Sequence, residues 1–184
     1  MIWTIPGTTL TGIREEADQV PSQFQALFLA GGLTLSQVSS ITGLEAYTIQ
    51  NWVKRGYLTP PKNKRYDLEQ LCRIITIHML RGSLSLEQVC TLMGHVNGNL
   101  ADDSDDLIDD GVLYFLFVRL AARARHIGGT QNWEDALEEA TAGYCEPCPG
   151  ARKRVQEVLR IMLTVWISNR LRLDAEEKLK ALEK

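Results

Sequence analysis

The chain has 184 residues, 45% apolar and 23% charged, with a formal net charge of −3. That is enough apolar material for a packed core without disulfide or metal staples, and too little positive charge for a protein that coats nucleic acid with its whole surface. The longest strongly apolar run, Val112 to Val118, falls far short of the roughly 20 residues that cross a bilayer, and no charged-then-apolar leader opens the chain, so a soluble, cytoplasmic protein with no membrane partner is expected.

Residues 1–20 mix polarities and carry Gly7 and Gly12 as breakers, which reads as an extended arm or a short packed segment. Phe24, Leu27 and Phe28 recur at helical spacing after Pro21, and Gly31-Gly32 ends that short helix. Thr34 with Gln37 forms a capping-box signature, after which Leu35, Val38 and Ile41 share one face until Gly43. The next helix places Ile49, Trp52 and Val53 inward and leaves Tyr47, Gln50, Asn51 and Lys54 outward. Two short helices joined by a three-to-four-residue turn with Gly have the outline of a helix-turn-helix. Gly56 closes the second helix and Pro60-Pro61 forbids its continuation, so the stretch from Tyr57 to Tyr66 has room for two very short strands around Lys62-Asn63-Lys64, a small wing. Asp67 with Gln70 opens a longer helix to Gly82, and Ser85 with Gln88 opens another through Met93.

This order includes Lys54-Arg55-Gly56-Tyr57-Leu58, then Pro60-Pro61, a basic turn, Arg65-Tyr66, a long helix and the run Leu80 to Val89. It resembles the DNA-binding head of MerR-type regulators. It resembles more closely an uncharacterised Gram-positive bacterial family, a domain of unknown function with a MerR-like head. Asn51-Trp52-Val53-Lys54, the Pro60-Pro61-Lys62 spacing and Lys64-Arg65-Tyr66 carry that closer likeness. The resemblance covers about a third of the chain and extends more loosely towards Arg123. It implies a winged helix-turn-helix head over residues 21–96, double-stranded DNA as partner, transcription regulation as function and a homodimer as the working form.

Residues 97–106 turn to Asn, Gly and Asp and read as an acidic linker. They match a calcium loop only superficially: Leu107 follows Asp106 where such a loop requires Gly, and no Glu stands at the twelfth position. Residues 107–184 read as a helical dimerisation or effector region. A nearly all-round apolar helix is expected from Leu107 to about His126, broken by Gly128-Gly129. A short helix around Trp133, Ala136, Leu137 and Ala140 should follow, and then one helix of about 30 residues from Ala151. A helix longer than its own domain suggests a partner. The expected fold is all-α with a small β wing.

Gln50 and Asn51 suit bidentate pairing with adenine, and Tyr47 and Thr48 suit phosphates or a thymine methyl. Lys54, Arg55, Lys62, Lys64 and Arg65 put five positive charges between residues 54 and 65 with no acid among them, fit for phosphates. Tyr66 admits two readings, wing packing or a phosphate hydrogen bond. Cys72 and Cys90 read as small core residues. Cys145-Glu146-Pro147-Cys148 has the spacing of half a zinc site or of a redox dithiol; no second Cys pair is available to complete a metal set, and a plain loop is expected ahead of a redox pair or a metal site. No catalytic constellation, resident metal or cofactor is expected, and a small-molecule effector stays open. Two rival functions remain: a protein-docking adaptor that keeps the helix-turn-helix fold, and a thiol or ligand sensor centred on the second half.

Overall fold

The computed structural model describes residues 1–100, 102–124 and 133–182. Three of its helices begin at reciprocal capping boxes: α2 (Leu35–Thr42) at Thr34/Gln37, α4 (Leu68–Leu80) at Asp67/Gln70, and α5 (Leu86–Gly94) at Ser85/Gln88. In each, the side chain of the residue before the helix accepts the third backbone N–H while the Gln side chain reaches back to the cap N–H. Two otherwise orphaned donors are thereby satisfied at each start.

The N-terminal arm is a hairpin of β1 (Ile2–Thr4) and β2 (Thr11–Ile13), followed by a 3-10 segment (Arg14–Gln19) and α1 (Val20–Leu27). Trp3 and Ile5 are buried, and the Thr9 N–H donates to Ile41 O at 2.8 Å, so the arm packs on α2. Tyr114 Oη donates to Pro6 O at 2.8 Å, which ties the arm to the second half as well.

The expected wing differs in its pairing. β3 (Leu33–Thr34) precedes α2 and pairs antiparallel with β4 (Arg65–Tyr66), while the turn itself holds only a bridge between Lys62 and Arg65. Pro60 and Pro61 lack the N–H that a ladder on the incoming side would use. Between these strands lie α2 and α3 (Ala46–Lys54).

Within the stretch expected as an acidic linker, β5 (Asn97–Asn99) and β6 (Asp102–Asp106) pair antiparallel. Asp is depleted in strands, but here the ends of the segment decide. Val96 and Ile108 are both buried, and the Leu107 N–H donates to Val96 O at 2.7 Å, so the chain must return to where it left.

α6 (Asp110–Arg123) therefore starts three residues later than its apolar pattern suggests. His126 and Gly128-Gly129 lie outside the described residues. α7 (Trp133–Thr141) and α8 (Ala151–Leu182) complete the chain. α4 packs against α2, α5, α6 and α8, and α6 packs against α1, α4, α7 and α8. The two halves thus share one core through the α4–α6 contact, with Leu71, Ile74, Ile75, Leu113, Tyr114 and Phe117 buried in it. The described residues are mainly helical with three small antiparallel strand pairs, and no described helix is long and apolar enough to cross a membrane.

Candidate nucleic-acid interface

Gly43, at φ +72°, adopts the left-handed conformation that ends α2 without steric cost. The turn Gly43-Leu44-Glu45 is then held by side chains of α2: the Leu44 N–H donates to Thr42 Oγ1 at 3.2 Å, and Ser39 Oγ donates to Leu44 O. This fixes how α3 leaves α2. α3 buries Ile49 and Trp52, half-buries Val53, and exposes Tyr47, Gln50, Asn51 and Lys54 on its opposite face, with Tyr47 71% exposed and Thr48 half-buried. Among the described residues, no side-chain hydrogen bond or ion pair occupies Tyr47, Gln50, Asn51 or Lys54. Their donors and acceptors are available to a partner. Glu45 sits immediately before α3, where its charge complements the helix dipole and repels anions. Phosphates are better met at the Lys54 end.

Asn63 (φ +51°) and Lys64 (φ +60°) are both left-handed, and the Arg65 N–H returns to Lys62 O at 2.9 Å. Two successive left-handed residues are what a tight antiparallel return demands, and Asn accepts that conformation more readily than Lys does. The turn holds the exposed side chains of Lys62 and Lys64. Arg65 is also exposed, but Nη1 donates to Gly32 O at 2.7 Å, which stitches β4 to the segment before α2. Arg55 turns back onto the protein. Its guanidinium lies 4.9 Å from the Tyr57 ring centre, donates to Tyr57 Oη at 3.1 Å and pairs with Glu87 at 3.5 Å.

Of the two readings of Tyr66, its placement favours wing packing: it is 2% exposed and pairs with Leu33 across β3–β4, and burial pushes its phenol pKa up.

The approach to the basic turn is held by two α4 side chains whose part the sequence does not announce. Gln70 Nε2 donates to Thr59 O (3.0 Å), Thr59 Oγ1 (3.0 Å) and Pro60 O (3.1 Å), while Oε1 of the same amide closes the α4 capping box. Arg73 Nε donates to Tyr57 O at 3.2 Å, and its Nη1 pairs with Asp110 at 3.0 Å. The one available signal was a charged residue inside the apolar run Leu71 to Leu80. A cleft of about 500 Å³ separates Pro60–Lys62 from Asp106, Asp109 and Asp110. That side of the loop is acidic, and an approaching polyanion meets favourable charge only from the other side.

Cys145 and Cys148 are both exposed free thiols in the turn before α8. The turn is tied to that helix: Glu146 accepts the Arg152 N–H at 2.9 Å, and Cys148 O accepts the Ala151 N–H at 3.1 Å. Cys72 is fully buried and Cys90 half-buried, with burial raising both thiol pKa values. Among the described residues, no group of three or more His, Cys, Asp or Glu is arranged to hold a metal ion.

A family profile described as a domain of unknown function, DUF1836, matches residues 18–116. No curated protein and no solved structure matches the chain. The matched span begins after the N-terminal hairpin, crosses β5–β6 and ends within α6, so it includes the α4–α6 contact.

Proposed function

The chain belongs to the DUF1836 family, and from that premise we propose that it is a sequence-specific DNA-binding transcriptional regulator with a MerR-like winged helix-turn-helix head. The observation that carries this reading is the unoccupied polar face of α3, with Tyr47, Gln50, Asn51 and Lys54 exposed together. α2, the three-residue turn and α3 serve as the helix-turn-helix, and the turn bearing Lys62 and Lys64 serves as the wing. Asn51 and Gln50 read base edges in the major groove. Lys54, Lys62 and Lys64 contact phosphates, which set affinity and register. Arg55 and Arg65 act mainly by bracing the surface, through Glu87 and Gly32 O respectively.

The test is fluorescence anisotropy of the purified protein with genomic duplexes across a salt series. Binding that weakens steeply as salt rises is expected, with a slope of about −0.9 per phosphate neutralised. A folded sample that binds no duplex at low salt would overturn the reading and favour the protein-docking adaptor.

The working form is a homodimer through α8. From residue 170 to 182 this helix is exposed all round, and Leu171 (48%), Leu179 (59%) and Leu182 (83%) are large apolar side chains in water. At its root, Trp133, Leu137, Leu163 and Ile167 line an open apolar groove of about 340 Å³. Both features belong to the same helix, and a second copy is the partner that covers them together. A second reading, a thiol sensor, draws on the exposure of both Cys145 and Cys148 at the start of the same helix. Loss of regulation in a Cys145→Ser, Cys148→Ser double variant with DNA affinity intact would support it.

A further inference from the structure

We propose that Asp110, at the start of α6 and outside the helix-turn-helix, is a positioning residue for the DNA-contacting loop, acting through Arg73. The proposal deepens the DNA-binding reading and rests on it for its functional consequence. Its structural consequence is independent.

Arg73 lies mid-α4 and is 7% exposed, yet its guanidinium reaches in two directions. Nε donates to Tyr57 O at 3.2 Å, three residues beyond the end of α3. Nη1 donates to Asp110 Oδ2 at 3.0 Å and Oδ1 at 3.4 Å. Asn97 Nδ2, from β5, donates to the same Oδ1 at 3.1 Å. One α4 turn away, Glu69 accepts the Gly111 N–H at 2.6 Å, so two α4 side chains grip consecutive residues of α6.

Tyr57 is held by its N–H on Trp52 O at 3.0 Å and Leu58 by burial in the core, but the backbone from Thr59 to Pro61 leans on α4 side chains. Pro60 and Pro61 cannot donate, and sheet pairing resumes only at Arg65. The carbonyls of Tyr57, Thr59 and Pro60 are instead taken by Arg73 and Gln70. A guanidinium is a rigid planar fork, so its Nε and Nη1 cannot be aimed independently. Where α6 begins therefore decides where Arg73 points, and that decides where the loop carrying Lys62 and Lys64 leaves α3. A shift of α6 relative to α4 is transmitted to the loop through the Arg73 side chain.

Hydrogen-exchange mass spectrometry on the full-length Asp110→Asn variant is the test, combined with the salt-dependent DNA titration. Exchange in peptides spanning 57–66 is expected to rise at least about tenfold while α8 stays as in the parent, and DNA affinity is expected to fall. If Asp110→Asn does not fold, the paired replacement Arg73→Met with Asp110→Leu removes the link without leaving a lone buried charge. It should show the same local loosening. Exchange that rises equally across all helices would make the pair merely structural and overturn the proposal, as would weakened DNA binding with unchanged exchange at 57–66. A parent protein that binds no DNA, with a variant that still loosens 57–66, would sink the DNA reading and leave the coupling intact.

Discussion

At the scale of single residues, the proposed surface divides by chemistry. Asn51 offers an amide that hydrogen-bonds a base edge, whereas Lys64 offers only charge. Asn51→Ala should cost about 1–3 kcal/mol on the preferred sequence and much less on others, so that specificity is relaxed. Lys64→Ala should weaken every duplex alike and reduce the salt slope by about 1. Competition titrations with cognate and scrambled duplexes separate the two outcomes, and equal losses for both variants on both duplexes would refute the division. Tyr66 shows why a sequence pattern alone leaves a residue open here. A Tyr beside a basic turn has the same local context whether its ring faces out or in, and only the pairing of β4 with β3 turned it inward.

At the scale of elements, helix starts were legible and helix neighbours were not. Thr34/Gln37, Asp67/Gln70 and Ser85/Gln88 mark three helix starts by a hydrogen-bond exchange confined to four residues. Glu69 shows the other case. On α4 it looks like an ordinary first-turn acid, but the fold brings it to the N-terminus of α6. Burial raises its carboxyl pKa, neighbouring Asp109, Asp110 and Asp67 raise it further, and the Gly111 N–H opposes them. A carboxyl whose pKa is higher folded than unfolded binds more protons in the native state, so its contribution to stability is full below the unfolded pKa and is lost as pH rises through the folded one. Glu69→Gln keeps an acceptor for the Gly111 N–H and removes the titration. The variant should therefore lose less stability than the parent between mildly acidic and neutral pH in denaturant titrations. A parent and variant with parallel pH profiles would show that Glu69 carries no such linkage.

At the scale of the whole molecule, the proposed homodimer rests on the exposed end of α8, residues 170–182. Its exposed surface is held helical locally by the i,i+4 pairs Arg172–Glu176 and Asp174–Lys178. Such exposed pairs stabilise a helix only weakly, and a lone helical end of this length is marginal in water. In the proposed homodimer a partner helix supplies the missing packing. Sedimentation equilibrium should show a dimer for the parent and a monomer for Leu171→Glu with Leu179→Glu, with little change in the circular dichroism of the body. Because two linked heads bind two half-sites with high effective concentration, the monomeric variant should also lose about 10²-fold or more in apparent DNA affinity. A parent that sediments as a monomer would refute this arm alone.

The sequence by itself determined what depends on near neighbours along the chain. Capping pairs placed three helix starts, glycines and prolines placed the breaks between them, and the period of apolar residues separated the inward face of α3 from Tyr47, Gln50, Asn51 and Lys54. Only the tertiary structure decided what depends on distant segments meeting. It paired β5 with β6 within the expected linker because Val96 and Ile108 are both drawn into the core. It also set Arg73 between Tyr57 O and Asp110, residues that lie 16 and 37 positions away in the chain. Local hydrogen bonds and side-chain periodicity are written in adjacent letters, whereas a buried ion pair is specified by packing, which no short stretch of sequence contains.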